Sequence, residues 1–443
     1  MGGELTFRHE SDTMRADGRC LSANRQTEKV MNKRGYIAMQ YVFSDKIANL
    51  RPSAIREILK APSDANTISF AAGNPSPESF PVRELAGLAA DLFAHESTVA
   101  LQYGVTEGYD PLRRAVADRQ KKVFGIGKSI ADGDSFNDET IIVSGGQQAI
   151  ELACKVFCNE GDTVICEEPT FIGALNAFRS CGARPIGVPL LNDGPDTEEL
   201  ERLLQSEPRV KLIYLIPTFQ NPTGLTTSYE KRVEIYRLAK KYGVMIAEDN
   251  PYGDLRFSGT DIPTIKSMDT DGLVIYTSSF SKILSAGMRV GFVIAPEAAA
   301  SKMVVAKQSE DVHTNLFFQM LCYRYMTECD LNAHIESIRS LYRHKCGLML
   351  DALDAAMPSS VSFTRPNGGL FIWVTMPDGV DMTAFLKEAV AAGIRVVPGA
   401  TFSSDPDAPS QCFRLNYSTP SDEQIRDGIE RLGKVAAKFI ECL

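Results

Sequence analysis

From about residue 139 onward, short apolar runs alternate with stretches whose apolar residues recur at helical spacing. The runs are Ile141–Val143, Val164–Cys166, Pro185–Val188, Leu212–Ile216, Val244–Ala247, Leu273–Tyr276 and Phe292–Ile294. Continuous apolar runs of this length suit strands covered on both faces, as in a parallel sheet. Between them, Ile150, Ala153, Cys154, Phe157 and Cys158 follow one helical stripe that stops near Gly161. Val233, Tyr236 and Ala239 repeat the stripe before Gly243. The pattern predicts an α/β fold whose large domain carries a mainly parallel, seven-stranded sheet flanked by helices.

After about residue 297 the rhythm changes. Residues 297–357 read as long helices, with Ile335, Ile338, Leu341 and Tyr342 on one stripe. Strand-like segments follow around Val361, Leu370–Val374, Val396 and Phe413–Asn416, with helical stretches at 382–392 and 421–440. This is the pattern of a smaller α+β domain. Upstream, the segment 45–70 carries a helix that opens at Ser53 and turns Ile55, Ile58 and Leu59 inward. The first 38 residues are polar, mix both charge signs and lack the apolar stretch of a signal peptide. They read as a disordered leader, or as sequence ahead of a later start at Met31 or Met39. The expected division is therefore 1–38 leader, 39–75 arm and helix, 76–300 large domain and 301–443 small domain.

Composition narrows the classes. With 47 basic and 56 acidic residues the net charge is −9, which argues against a general electrostatic grip on nucleic acid. No run of about 18 apolar residues is present, so no membrane-spanning helix is expected. The ten cysteines include no C-x-x-C pair, and no H-E-x-x-H occurs. Structural zinc sites and zinc hydrolases are poor fits, no metal is expected, and the cysteines read as reduced core residues of a cytoplasmic protein. Gly127-Lys128-Ser129 lacks the first glycine of a phosphate loop, since position 122 is lysine.

In a parallel sheet the ligand crevice lies beyond the carboxyl ends of the strands. After Val143 comes Ser144-Gly145-Gly146-Gln147-Gln148, opening a helix, and after Cys166 comes Glu167-Glu168-Pro169-Thr170-Phe171. After Ile216 comes Pro217-Thr218-Phe219-Gln220-Asn221-Pro222-Thr223-Gly224, and after Ala247 comes Glu248-Asp249-Asn250-Pro251-Tyr252. After Tyr276 comes Thr277-Ser278-Ser279-Phe280-Ser281-Lys282, with Arg289 beyond it. Singly these read as turns, caps and surface residues. Together they supply what pyridoxal phosphate requires. Lys282 offers an amine for a Schiff base to the aldehyde. Gly145, Gly146, Gln147, Ser279, Ser281 and Arg289 offer N–H groups, hydroxyls and a cation to the phosphate. Asp249 is a carboxylate for the ring nitrogen, Asn221 and Tyr252 are donors to the phenolic oxygen, and Phe171 is a flat ring for stacking.

At these residues the sequence resembles the fold-type I, class I/II aminotransferases, from about residue 45 to the C-terminus. The most specific stretch is Ser279-Phe280-Ser281-Lys282 with Arg289, preceded by Asp249-Asn250-Pro251-Tyr252 and Asn221-Pro222-Thr223-Gly224. The resemblance implies further roles. Gly73, in Ala71-Ala72-Gly73-Asn74-Pro75, matches a loop that receives the substrate carboxylate. Arg414, in Phe413-Arg414-Leu415-Asn416, matches the arginine that clamps that carboxylate, with Asn221 beside it. Tyr103 matches a tyrosine that reaches the phosphate in the neighbouring subunit, which implies a homodimer with shared sites. Ser-Gly-Gly-Gln-Gln and Arg51-Pro52-Ser53-Ala54-Ile55-Arg56 are similar to the 2-aminoadipate/kynurenine (aromatic) branch, where Arg56 matches an arginine near the substrate side chain. Gly146, Phe171 and Ala286 depart from residues common there, and none of these changes deletes a chemical role.

The implied reaction is transamination from an L-amino acid (2-aminoadipate, aromatic or aliphatic) to a 2-oxo acid, with 2-oxoglutarate as acceptor. Lys282 would act as base, with Asp249 and Tyr252 supporting it. Two alternatives use the same residues. One is a cysteine-conjugate β-lyase; the other is a ligand-sensing regulator, for which 38 polar residues supply no DNA-binding domain.

Overall fold

The computed structural model describes residues 41–48, 50 and 66–441. The leader, the helix expected to open at Ser53, and Arg56 lie outside the described residues. Two compact units divide the chain, Met1–Asn49 and Leu50–Leu443. Of the first, the described residues show a single helical turn, Asp45–Ala48. All that follows concerns the second.

Its strands are β1 (Ile68–Ser69), β2 (Asp138–Val143), β3 (Thr163–Glu168), β4 (Arg184–Leu191), β5 (Gly194–Pro195), β6 (Val210–Leu215), β7 (Met245–Asp249), β8 (Val274–Ser279) and β9 (Gly291–Pro296). There follow β10 (Ser362–Phe363), β11 (Phe371–Thr375), β12 (Ile394–Arg395), β13 (Val397–Pro398) and β14 (Cys412–Asn416). The large sheet has the order β2-β9-β8-β7-β6-β3-β4-β5. Strands β8, β7, β6, β3 and β4 run parallel, while β9 runs against both β8 and β2. Each of the seven apolar runs became one of its strands. The eighth, β5, is a two-residue return from β4 that no apolar run announced.

The sheet is covered on both faces, and strand parity assigns the residues. On β6 and just beyond it, Leu212, Tyr214 and Ile216 belong to one buried cluster, while Ile213 and Leu215 belong to the other. The first cluster receives Ala149, Ile150, Leu152 and Ala153 from the Gly146–Phe157 helix. The second receives Ile235, Leu238 and Ala239 from the Tyr229–Tyr242 helix. On that helix the expected stripe is displaced. Val233 is 41% exposed, and Arg232 is fully buried instead. Arg232 donates to the carbonyls of Pro217, Thr227 and Pro263 and to the Thr218 hydroxyl, so a satisfied guanidinium occupies the inward position.

The C-terminal part builds its own antiparallel sheet, in the order β10-β11-β14-β13, whose Phe371, Phe413 and Leu415 share one buried cluster with Leu353 of the Leu331–Ala356 helix and Ile429 of the Asp422–Ile440 helix. The two-stranded β1-β12 pair ties the segment ahead of Gly73 to this part of the chain. The Glu297–Gln308 helix spans the boundary expected at residue 300, and it packs on β2 and β9 of the large sheet. Among the described residues no helix is long and apolar enough to cross a membrane, and no three His, Cys, Asp or Glu side chains gather to hold a metal ion.

Candidate functional site

Along the large sheet the chain leaves β3 toward β4 but leaves β6 toward β7, so the connections part company between β3 and β6. Such a switch point opens a crevice at the carboxyl ends of the strands. Here it holds a cavity of about 370 Å³. Arg414 and Phe371, from the small antiparallel sheet, close its far side.

β8 ends in a tight turn, Phe280–Lys282, in which the Ser279 hydroxyl accepts from the Ser281 N–H at 3.3 Å. That turn projects Lys282 into the cavity, where Nζ donates to the Gly73 carbonyl at 2.7 Å. Burial lowers the Lys282 ammonium to about 8, helped by the positive charges of Arg414 and Arg289. A lysine so placed is a usable nucleophile and base near neutral pH.

Asp249 ends β7 and is almost fully buried. Desolvation pushes its carboxyl up to about 7, against the opposing hydrogen bond from the Tyr214 hydroxyl, 2.8 Å from Oδ2. A cationic N–H in the cavity would restore the carboxylate. Tyr214 escaped the sequence reading because its phenol lies within an apolar strand run. Tyr214→Phe is expected to raise the Asp249 pKa further, because the lost hydrogen bond favoured the charged form. The acid limb of the kcat/KM profile, where Asp249 takes up its proton, should move up by about one pH unit. Rates measured from pH 5.5 to 9 check this.

The same cavity has an anion-binding group. Gly145, at φ 82°, turns the chain into the Gly146–Phe157 helix. A Cβ at Gly145 would lie 2.5 Å from the Arg289 guanidinium, so only glycine permits this approach. Arg289 itself has φ 57°, and its exposed guanidinium donates to the carbonyls of Ser144 and Ala286. The free N–H groups of a helix start, two serine hydroxyls and an arginine held by carbonyls rather than a carboxylate form an anion cup. Gln147 donates to the Gly173 carbonyl at 2.8 Å, where a Cβ on Gly173 would strike Phe171 Cζ at 2.4 Å. This close packing fixes Phe171 as a wall of the cavity.

Arg414 on β14 is 1% exposed. Its guanidinium donates to Asn221 Oδ1 and to the Ala71 carbonyl, each at 2.8 Å, and lies 4.2 Å from the Phe371 ring centroid and 5.0 Å from that of Phe402. Nε is buried without a partner, no carboxylate among the described residues pairs with it, and burial lowers its pKa to about 10. A buried cation left without a counter-charge is costly unless a ligand supplies one. Tyr252, beside it, is pushed up by burial and stays a neutral phenol. Phe371, Phe402 and the Ala71 carbonyl were missed in the sequence, because they act as walls and acceptors rather than as reactive groups.

Gly73, Gly146, Gln147, Phe171, Asn221, Asp249, Tyr252, Ser279, Ser281, Lys282, Arg289 and Arg414 thus line one cavity, with Gly145 directly behind Arg289. Tyr103 does not. It is 80% exposed, with its ring edge-on to His313, on a separate apolar cavity of about 390 Å³. Arg56 lies outside the described residues. The residues present fit pyridoxal phosphate. They offer an anion cup, a buried carboxyl and a lysine of lowered pKa on one cavity.

Comparison with known proteins agrees. The family model for aminotransferase class I and II matches residues 65–432. An aromatic-amino-acid aminotransferase of Thermococcus litoralis is 39% identical over 88% of this chain and 93% of its own. The structure of a multiple substrate aminotransferase from Thermococcus profundus superposes with a TM-score of 0.85 at 38% identity, covering 90% of this chain and 98% of that one. An alpha-aminoadipate aminotransferase from Thermus thermophilus, complexed with N-(5'-phosphopyridoxyl)-L-leucine, superposes with a TM-score of 0.82 at 37% identity over 90% and 98% of the two chains.

Proposed function

The chain belongs to the class I and II aminotransferase family and is a pyridoxal-phosphate-dependent aminotransferase of fold type I; from that premise we propose which of its residues carry the reaction and on what substrates. The donor is an L-amino acid of the aminoadipate, aromatic or aliphatic kind, and the acceptor is a 2-oxo acid, 2-oxoglutarate first among them. The observation that carries this reading is the buried Arg414 guanidinium, with no carboxylate partner among the described residues, on the same cavity as the Lys282 amine.

Pyridoxal phosphate, when bound, supplies the electron sink that makes an α-proton removable. The chain's residues supply the rest. The Gly145–Gln147 turn, Ser279, Ser281 and Arg289 hold the phosphate. Asp249, its carboxylate steadied by Tyr214, keeps a proton on the ring nitrogen. Arg414 and Asn221 grip the substrate α-carboxylate, which fixes the Cα–H bond relative to Lys282. Lys282, unprotonated in an appreciable fraction at neutral pH, would take the proton from the substrate Cα and carry it as an ammonium until it is given back. Tyr252 donates from its neutral phenol. Phe171 and Phe371 exclude water from the reacting faces.

The same reading assigns the cofactor domain to residues 76–300 and the smaller domain to the C-terminal part, with the helix across residue 300 shared between them. It also makes the enzyme a cytoplasmic homodimer. The exposed apolar edge of Val99, Leu101, Tyr103 and Val105 supports a second copy over the 390 Å³ cavity. Tyr103 would then serve the partner's site.

The test is a half-reaction screen. The cofactor-loaded protein mixed with each of the common amino acids should lose its aldehyde-form absorbance with its preferred donors and release the matching 2-oxo acid in equal amount. No spectral response to any amino acid would overturn the proposal. The same preparation should sediment at twice the 48.6 kDa chain mass.

A further inference from the structure

The turn between the Glu297–Gln308 and Leu316–Glu328 helices lies outside the cavity yet is bonded to its rim. Asp311 in this turn accepts the Ser144 hydroxyl on Oδ2 at 2.7 Å, and the Thr314 hydroxyl lies 3.2 Å from the same Ser144 oxygen. Ser144 immediately precedes Gly145, and its carbonyl receives the Arg289 guanidinium at 3.1 Å. Its N–H donates to Gln148, whose amide donates in turn to Glu310. The peptide that enters the anion cup is therefore held at its N–H, its hydroxyl and its carbonyl. Two of these three ties lead to Glu310 and Asp311.

Asp311 is itself fixed. Its other oxygen accepts from Lys307 Nζ at 2.6 Å, and the Lys307 side chain is fully buried. The following residue, Val312, has φ 64°, a region that β-branched residues rarely enter. The His313 N–H closes back on the Asp311 carbonyl at 2.6 Å. Thr314 is anchored beyond it by Gln319, which donates to its carbonyl at 2.7 Å. A strained turn held in place by an ion pair to a buried lysine and by a buried amide points to a positional task.

We propose that Asp311 is a positioning residue for the cofactor's phosphate, acting through the Ser144 hydroxyl to hold the Ser144–Gly145 peptide and, through the Ser144 carbonyl, the Arg289 guanidinium. Asp311 touches neither cofactor nor substrate. It sets where the cup's donors point, and its effect is confined to the phosphate. This rests on the reading of the Gly145–Gln147 turn as the phosphate site.

The test compares pyridoxal phosphate with pyridoxal, which lacks the phosphate, titrated into the full chain stripped of cofactor. Ser144→Ala breaks the link while leaving the Lys307–Asp311 pair whole, and Asp311→Asn weakens it from the other side. Each is expected to raise the dissociation constant for pyridoxal phosphate about tenfold, the scale of losing a group that orients a ligand-binding residue. Binding of pyridoxal should stay unchanged. The double variant should bind no worse than the weaker single variant, because both act on one link. Equal weakening of both ligands, no weakening at all, or additive losses would each overturn the proposal. If Asp311→Asn leaves Lys307 unpaired and fails to fold, Ser144→Ala decides alone. A wild-type chain with no preference for the phosphorylated ligand would instead overturn the phosphate site itself.

Discussion

Lys282→Ala is expected to abolish amino transfer, lowering kcat/KM by about 10⁴-fold or more, the upper range for losing a positioned general base. The argument is one of supply. Among the described residues, Lys282 is the only lysine that lines the cavity, and no histidine lines it. Tyr252 cannot take its place as base, because burial raises its phenol and keeps it protonated at working pH. The geometry adds specificity. The Lys282 amine, held by the Gly73 carbonyl, lies 5.9 Å from the Tyr252 ring centroid and shares the cavity with Arg414. A carboxylate on Arg414 would lie in the cavity that the amine enters. The variant should still fold, since the amine makes one hydrogen bond, to the Gly73 carbonyl on the cavity wall. Steady-state turnover measures the loss, together with the cofactor's absorbance, which should lose the feature due to attachment at Lys282. A variant with near-normal turnover would remove the whole mechanism.

What could be read from the chain follows from where chemistry meets regular structure. Lys282, Asp249, Asn221 and the Gly145–Gly146 turn each follow an apolar run. The rule that ligands gather at the carboxyl ends of parallel strands was enough to group them. The sheet was legible for the same reason, because strands buried on both faces show as unbroken apolar stretches. Three features were not legible, each for a physical reason. Tyr214 lies inside such a stretch, and only strand parity and the register of β6 on β7 bring its hydroxyl to Asp249. Arg232 displaced the expected face of its helix, because a guanidinium that finds enough carbonyls can replace an apolar side chain in a core. The Ser144–Asp311 link joins segments far apart in sequence, and no local pattern encodes a pairing of that kind.

The second large effect is expected at Arg414, and it separates binding of charge from maintenance of fold. Arg414→Gln keeps donors near Asn221 and the Ala71 carbonyl but removes the positive charge. For amino acids, kcat/KM should fall by about 10²–10³-fold, the scale for truncating one side of a buried, hydrogen-bonded charge pair. The melting temperature of the free protein should not fall with it. In the unliganded protein the guanidinium is buried with Nε unpaired, its pKa is depressed by desolvation, and no carboxylate among the described residues offsets it. Removing an uncompensated buried charge relieves a cost that only the bound substrate otherwise repays. The substrate series discriminates further. A primary amine lacking the α-carboxylate gains nothing from Arg414, so wild type and variant should process it at nearly equal, low rates. Amino acids alone should show the full loss. A uniform loss on both substrate types, accompanied by a lower melting temperature, would make Arg414 a pillar of the fold rather than the counter-charge of the substrate.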